Sequence, residues 1–185
     1  MFLDFGIGIL MAIFTSKLFI LPVNLVFVVG GIFFSVLPDS DAVFNLIKYK
    51  GIEHSYNHRS LPHLPLLYIP LGMAILFLYS PAWSVLFGLC SLMHFIHDSI
   101  GIGWGVQWLY PFNTNHYSFL YQFDTWGKVP KKFIYVWKNN NIDILENKYG
   151  KKDWFRIIYM RLHPYGLVEW AIFITALFVL YNYIK

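Results

Sequence analysis

The sequence predicts an all-α protein, an integral membrane bundle of about five short helices with a polar and aromatic insertion. Of its 185 residues, 57% are hydrophobic and only 13% are charged, a balance that soluble domains rarely show. The apolar residues form separate blocks, and most charges lie in the two segments that connect those blocks. The single cysteine, Cys90, lies inside an apolar block, so an intrachain disulfide is excluded. These observations predict one membrane domain over residues 1–185.

Five apolar blocks are the predicted membrane spans. Several are shorter than the roughly 20 residues that a helix needs to cross the hydrocarbon core, so some helices are expected to end within the interface. Pro22 and the Ser80-Pro81 pair leave little room for loops, which predicts two helical hairpins. The spans lie near 5–20, 22–37, 65–80, 82–99 and 166–184.

The hairpins place the two longer connections, 38–64 and 101–165, on the same side of the membrane. Of the 14 Lys and Arg residues, all but Lys17 and Lys185 lie in these connections, and the positive-inside rule makes that side cytoplasmic. We therefore expect a protein of the bacterial or archaeal cytoplasmic membrane with its polar end in the cytoplasm. Membrane lipids are the expected partners, no nucleic acid is expected, and the oligomeric state is left open.

The insertion at 101–165 combines aromatic and basic residues. The segment "HYSFLYQFDTW" alternates polar and aromatic residues as a strand does, and "DWFRIIYMRLHPYG" has the pattern of an amphipathic helix that stops at Pro164. Such a surface suits anionic lipid headgroups, and a solvated loop with interfacial anchors is the alternative.

Acidic and histidine residues interrupt the apolar pattern at three places. The second span ends in "LPDSD", where Asp39 and Asp41 lie two residues apart and repel each other unless a cation lies between them. The segment "EHSYNHRSLPHLP" before the third span holds three histidines, at positions 54, 58 and 63. The fourth span carries His94 and Asp98, which are four residues apart and share one helical face.

The predicted hairpins bring these three clusters to the same end of the bundle. His94 follows Pro81 by about 13 residues, which places it about 20 Å along the helix, where a histidine and an aspartate are costly without partners. Imidazole and carboxylate donors suit zinc, manganese or ferrous iron, and their number allows one or two ions. The predicted ligands are Asp39, Asp41, His58, His63, His94 and Asp98.

Other histidines have alternative interpretations. His97 is either a ligand or a partner of the His94 and Asp98 pair, and His54 is either a ligand or solvated. His116 and His163 are interpreted as structural.

The order of the motifs resembles the membrane-bound metal-dependent hydrolases of the YdjM type. That family shows LPDxD, then HRGxTHS, then H-x3-D, and then a glycine-containing run into Pro-Phe. Here "LPDSD", "HRSLPH", "HFIHD" and "GVQWLYPF" follow in the same order within residues 25–112. Ser60 and Pro62 depart from the family pattern, since they replace its glycine and threonine, but the spacing of His58 and His63 is kept.

The resemblance implies a metal-dependent hydrolase, with more distant similarity to zinc-dependent phospholipases C and P1-type nucleases. Zinc is then the first expectation for the metal, with manganese or iron as alternatives. A metal-activated water would attack a lipid or lipid-linked phosphoester, with Asp41 or Asp98 as the proton acceptor. Arg59 would stabilise the phosphate, or alternatively extend to the headgroups.

Two other functions stay open. A membrane di-iron oxygenase or desaturase is suggested by the histidine spacings at 54–58 and 94–98, although it would leave the aspartates of "LPDSD" without a role. A non-enzymatic metal-binding membrane protein would instead be expected to line a path across the bilayer with its polar residues.

Overall fold

A computed structural model describes residues 2–40, 61–100, 104–120, 132–142, 156–161 and 163–185. Within these residues the protein is mostly helical. The longer helices are α1 (Phe2–Leu18), α2 (Leu25–Val36), α3 (Pro65–Phe77), α4 (Pro81–Ser99) and α5 (Pro164–Ile184). Two 3-10 turns, Leu37–Asp39 and Leu61–His63, lie directly after α2 and directly before α3.

The helix boundaries have local causes. Asn24 caps α2, because its side-chain oxygen accepts a hydrogen bond of 2.9 Å from the backbone N–H of Phe27. Pro81 and Pro164 are the first residues of α4 and α5, positions where a missing backbone N–H costs nothing. Pro164 therefore begins a helix instead of ending one, and the segment before it contains a π-helix at Arg156–Met160.

The expectation of an all-α protein is wrong in one respect, because the described residues include a small sheet. Strand β1 (His116–Phe119) pairs antiparallel with β2 (Ile134–Trp137), with His116 opposite Trp137 and Phe119 opposite Ile134. The alternation of polar and aromatic residues indicated β1, but its partner strand lies in a segment with no such clear signal. Two-stranded pairing depends on this non-local partner, which a local pattern does not identify.

The chain divides into two compact units. The first comprises Met1–Ser40, Ile69–His94 and Phe155–Lys185, and the second comprises Asp41–Tyr68 and Phe95–Trp154. The division falls within α4, which is one continuous helix. The prediction of a single membrane domain over 1–185 stays a prediction.

In the first unit, α1 packs against both α2 and α5. The two hairpins are closely packed, as the short loops predict. At the contact of α1 with α2, a Cβ placed on Gly8 would lie only 2.6 Å from the Cα of Ile32. The Ser84 hydroxyl of α4 donates a 2.8 Å hydrogen bond to the Met73 carbonyl of α3. The buried core of this unit comprises Ile9, Ala12, Ile13, Phe27, Val28, Ala82, Leu86, Cys90 and Ala176.

In the second unit, the residues after α4 connect to the sheet. Ile100 forms a parallel bridge with Phe119, and Val106 forms an antiparallel bridge with Tyr117. Gly105 has a φ of +72°, in the left-handed region that glycine favours, and its Cα faces the Tyr117 carbonyl so closely that a side chain would not fit.

One helix among the described residues is long and apolar enough to cross a membrane. This helix is α5, which has 21 residues. Its most apolar stretch of 18 residues has a mean hydropathy of 1.7, and only 11% of that stretch is buried. Helices α2 and α3 are apolar but shorter. A bundle of five membrane-crossing helices therefore stays a prediction.

Candidate metal centre

The candidate site is organised on one turn of α4. His94 and Asp98 are four residues apart on this helix, so their side chains project from the same face. The His94 side chain is 1% exposed, whereas that of Asp98 is 22% exposed. The helix therefore offers one buried imidazole and one partly accessible carboxylate side by side.

Two carboxylates of the first unit approach His94. The Nδ1 atom of His94 lies 3.3 Å from Oδ1 of Asp4, and its Nε2 atom lies 3.6 Å from Oδ1 of Asp39. Asp4 belongs to the first turn of α1 and is almost fully buried. Asp39 ends the 3-10 turn after α2, where Pro38 interrupts the α-helix, and its side chain is 41% exposed. The imidazole thus has a carboxylate beside each of its nitrogens.

In the second unit, His63 pairs with Asp98. Its Nε2 atom lies 3.4 Å from Oδ2 of Asp98, and the His63 side chain is 1% exposed. His63 ends the 3-10 turn that precedes α3, and its ring meets the edge of the Phe95 ring at a centroid distance of 6.2 Å. The short turn and the aromatic contact fix the direction in which this imidazole points.

The spacing of the donor atoms fits a metal ion. One ligand atom from each of four residues lies within 4.8 Å of the others: Asp39, His63, His94 and Asp98. Two ligands of a tetrahedral ion with bonds of about 2.1 Å are about 3.4 Å apart. The His63 to Asp98 distance of 3.4 Å and the His94 to Asp39 distance of 3.6 Å match this edge length.

The charges of the group also favour a cation. Buried carboxylates are costly in a low-dielectric surrounding unless a positive charge or hydrogen-bond donors compensate them. Asp4 is buried, and Asp39 and Asp98 are half-buried, all within a few ångströms of an imidazole. A divalent cation held by two imidazoles and two carboxylates would neutralise the carboxylates that bind it.

The structure brings together four of the six predicted ligands, those at positions 39, 63, 94 and 98. That these residues bind a metal stays a prediction. Asp41, His58 and Arg59, as well as His54, lie outside the described residues. His97 is half-buried and is not a member of the converging group.

The two histidines interpreted as structural have structural contacts. His116 is buried, with its Nδ1 atom 3.3 Å from the Gly105 carbonyl oxygen and its Nε2 atom 3.2 Å from the Gln107 side-chain nitrogen. His163 caps α5, because its Nδ1 atom accepts a 3.2 Å hydrogen bond from the backbone N–H of Tyr165.

Sequence reasoning missed Asp4. The signal that could have found it is an aspartate in the first turn of an otherwise apolar helix, because a charged residue in such a segment needs a partner. Its partner, His94, lies on another helix far along the chain, and no local pattern links the two residues.

The family model described as YdjM inner membrane protein matches residues 4–185, so the chain belongs to this family of inner membrane proteins. Searches of curated proteins and of solved structures give no match.

Proposed function

We propose that this member of the YdjM inner membrane protein family is a membrane-bound, metal-dependent hydrolase that acts on a lipid or lipid-linked phosphoester. The observation that carries the proposal is the grouping of two imidazoles and two carboxylates around one turn of α4. The motif order described above, which resembles metal-dependent hydrolases, supplies the reaction class.

The donor set selects the metal. Two imidazole nitrogens and two carboxylate oxygens suit zinc, and they also suit manganese or ferrous iron. Magnesium and calcium are less suitable, because both prefer a shell made only of oxygen atoms. The proposed ligands are the four residues of the converging group, Asp39, His63, His94 and Asp98. Asp41 and His58 would complete this set or bind a second ion.

The exposure of the four residues gives the site a direction. Both histidines are buried, whereas the side chains of Asp39 and Asp98 are 41% and 22% exposed. A substrate or water would therefore approach from the carboxylate side, while the imidazoles hold the ion from within the protein.

A bound divalent ion would lower the pKa of a coordinated water and polarise the oxygen of the group under attack. The protein's own residues would bind and orient the reactants. Asp98, or Asp41, would accept the proton of the water if it is not fully engaged as a ligand. Arg59 would hold the anionic phosphate by paired hydrogen bonds, because its guanidinium matches two phosphate oxygens.

Membership of an inner membrane family and the exposed apolar surface of α5 support a lipid-borne substrate. The concentration of Lys and Arg in the two long connections supports a site that faces the cytoplasm.

The test is elemental analysis of the purified protein in detergent, with His63→Ala and Asp98→Ala as variants. We expect one or two equivalents of zinc, manganese or iron in the wild type and a clear loss in both variants. His163→Asn is the matched control, because it removes an imidazole outside the site while asparagine still caps α5. Full metal occupancy in both site variants would refute the assignment of these ligands.

The reaction is tested by a screen of phosphoesters and lipid esters with metal-loaded protein. Hydrolysis that His63→Ala abolishes would support the proposal. A coloured iron protein that reacts with oxygen would support an oxygenase instead, and stoichiometric metal without any turnover would support a non-enzymatic metal-binding protein.

A further inference from the structure

We infer that Asp4 is the positioning carboxylate of His94, holding the proton on Nδ1 so that Nε2 faces the metal. This inference rests on the proposed metal centre and adds a residue of α1 to it. Asp4 is not among the four residues whose ligand atoms converge, so its role differs from theirs.

The geometry at His94 distinguishes its two nitrogens. The buried Asp4 carboxylate lies 3.3 Å from Nδ1, while the more exposed Asp39 carboxylate lies 3.6 Å from Nε2. A neutral imidazole carries its proton on one nitrogen and offers a lone pair on the other. A carboxylate beside Nδ1 stabilises the form with the proton on Nδ1, which leaves the Nε2 lone pair directed towards Asp39 and the ion.

Asp4 is held firmly enough to fix the imidazole. Its backbone carbonyl accepts a 2.8 Å hydrogen bond from the buried Ser35 hydroxyl of α2. The preceding backbone N–H, that of Leu3, lies 3.3 Å from Oε2 of the buried Glu169 of α5. The Tyr159 hydroxyl donates to the same carboxylate, 2.9 Å from each of its oxygens. The first turn of α1 is thus attached to α2 on one side and to α5 on the other.

A carboxylate that accepts a hydrogen bond from the nitrogen facing away from the ion makes an imidazole a better metal ligand, because it raises the basicity of the ring and fixes its orientation. Removing such a partner typically weakens metal binding by about 10- to 100-fold. We therefore expect a loss of this size when Asp4 is replaced, although Asp4 does not itself bind the ion.

The experiment measures zinc affinity of the full-length protein in detergent by competition with a chelator. Asp4→Asn removes the charge but keeps the size of the side chain, and we expect its zinc affinity to fall by about 10- to 100-fold. His163→Asn is the matched control, because it replaces a polar side chain outside the site while asparagine still caps α5. Its zinc affinity should stay within about twofold of the wild type.

A second measurement detects the proton on the imidazole directly and starts from the wild type. In the zinc-loaded wild type with ¹⁵N-labelled histidine, NMR should show a downfield proton on Nδ1 of one histidine, and His94→Ala should remove this resonance. In Asp4→Asn the resonance should move upfield, since a neutral amide is a weaker acceptor than a carboxylate.

The outcomes separate the two proposals. A wild type that binds no zinc would overturn the metal centre itself. Zinc binding that requires His94 but is unchanged in Asp4→Asn would overturn only the role of Asp4. Equal losses in Asp4→Asn and His163→Asn, or a His94 proton found on Nε2 in the wild type, would likewise overturn it.

Discussion

Replacing Gly8 by alanine should separate α1 from α2 and weaken the site that these helices carry. A Cβ at Gly8 would lie 2.6 Å from the Cα of Ile32 and 2.7 Å from the carbonyl atoms of Gly31, all of them backbone atoms. Real Cβ contacts begin at about 3.0 Å and become ordinary at about 3.4 Å, so the helices would have to separate by at least 0.4 Å and by about 0.8 Å for normal contact.

The size of the effect follows from two opposing terms. Overpacking of this kind costs about 1–3 kcal/mol, because backbone atoms of a packed helix pair cannot move individually. Replacing glycine by alanine within a helix returns about 0.5–1 kcal/mol through lower conformational entropy of the unfolded chain. We therefore expect Gly8→Ala to lower the free energy of unfolding by about 1–2 kcal/mol, which for a chain of this size corresponds to a Tm lower by about 2–8 °C.

The assay is thermal unfolding in detergent, followed by tryptophan fluorescence, together with zinc affinity. Gly88→Ala is the matched control, because the nearest atom to its Cβ would be Sδ of Met73, at 2.5 Å, and this flexible side chain can move away. The control should keep the stability and the zinc affinity of the wild type. A Gly8→Ala protein as stable as the wild type, or a Gly88→Ala protein equally destabilised, would contradict the argument from backbone contact.

Three further predictions concern residues away from the metal ligands. Tyr159→Phe should lower the free energy of unfolding by about 1–3 kcal/mol, because the buried Glu169 carboxylate loses the hydroxyl that donates to both its oxygens. In the same thermal assay, Tyr181→Phe at an exposed position should have little effect. Burial, followed by the charge of Glu169, raises the pKa of Tyr159 above its ordinary value of about 10. The folded state therefore favours the protonated phenol, so this stabilisation is complete below pH 10 and is lost as the pH rises above it. Between pH 9 and 11 the free energy of unfolding should fall, and it should fall less in Tyr159→Phe. Gly105→Ala should destabilise the protein by several kcal/mol, because alanine is strained at a φ of +72° and its Cβ would collide with the Tyr117 carbonyl. A variant with the Tm of the wild type would refute this expectation.

Local features of this protein follow from its sequence. Apolar blocks interrupted by Pro22 and Pro81 predicted helices close to where they lie, because hydrophobic clustering and the effects of proline act over a few residues. The position of His94 and Asp98 on one face of α4 followed from their four-residue spacing alone. The order of the motifs likewise indicated the family that the family model identifies.

Contacts between distant segments required the folded chain. The approach of Asp4 to His94 depends on how α1 and α4 are placed in the first unit, and the Gly8 contact with α2 helps to set the position of α1. The antiparallel partner of β1 is equally non-local, and so the sheet was missed. The physical reason is the same in both cases: a sequence pattern shows which side chains share a face of one element, whereas the pairing of faces is decided by packing across the whole unit.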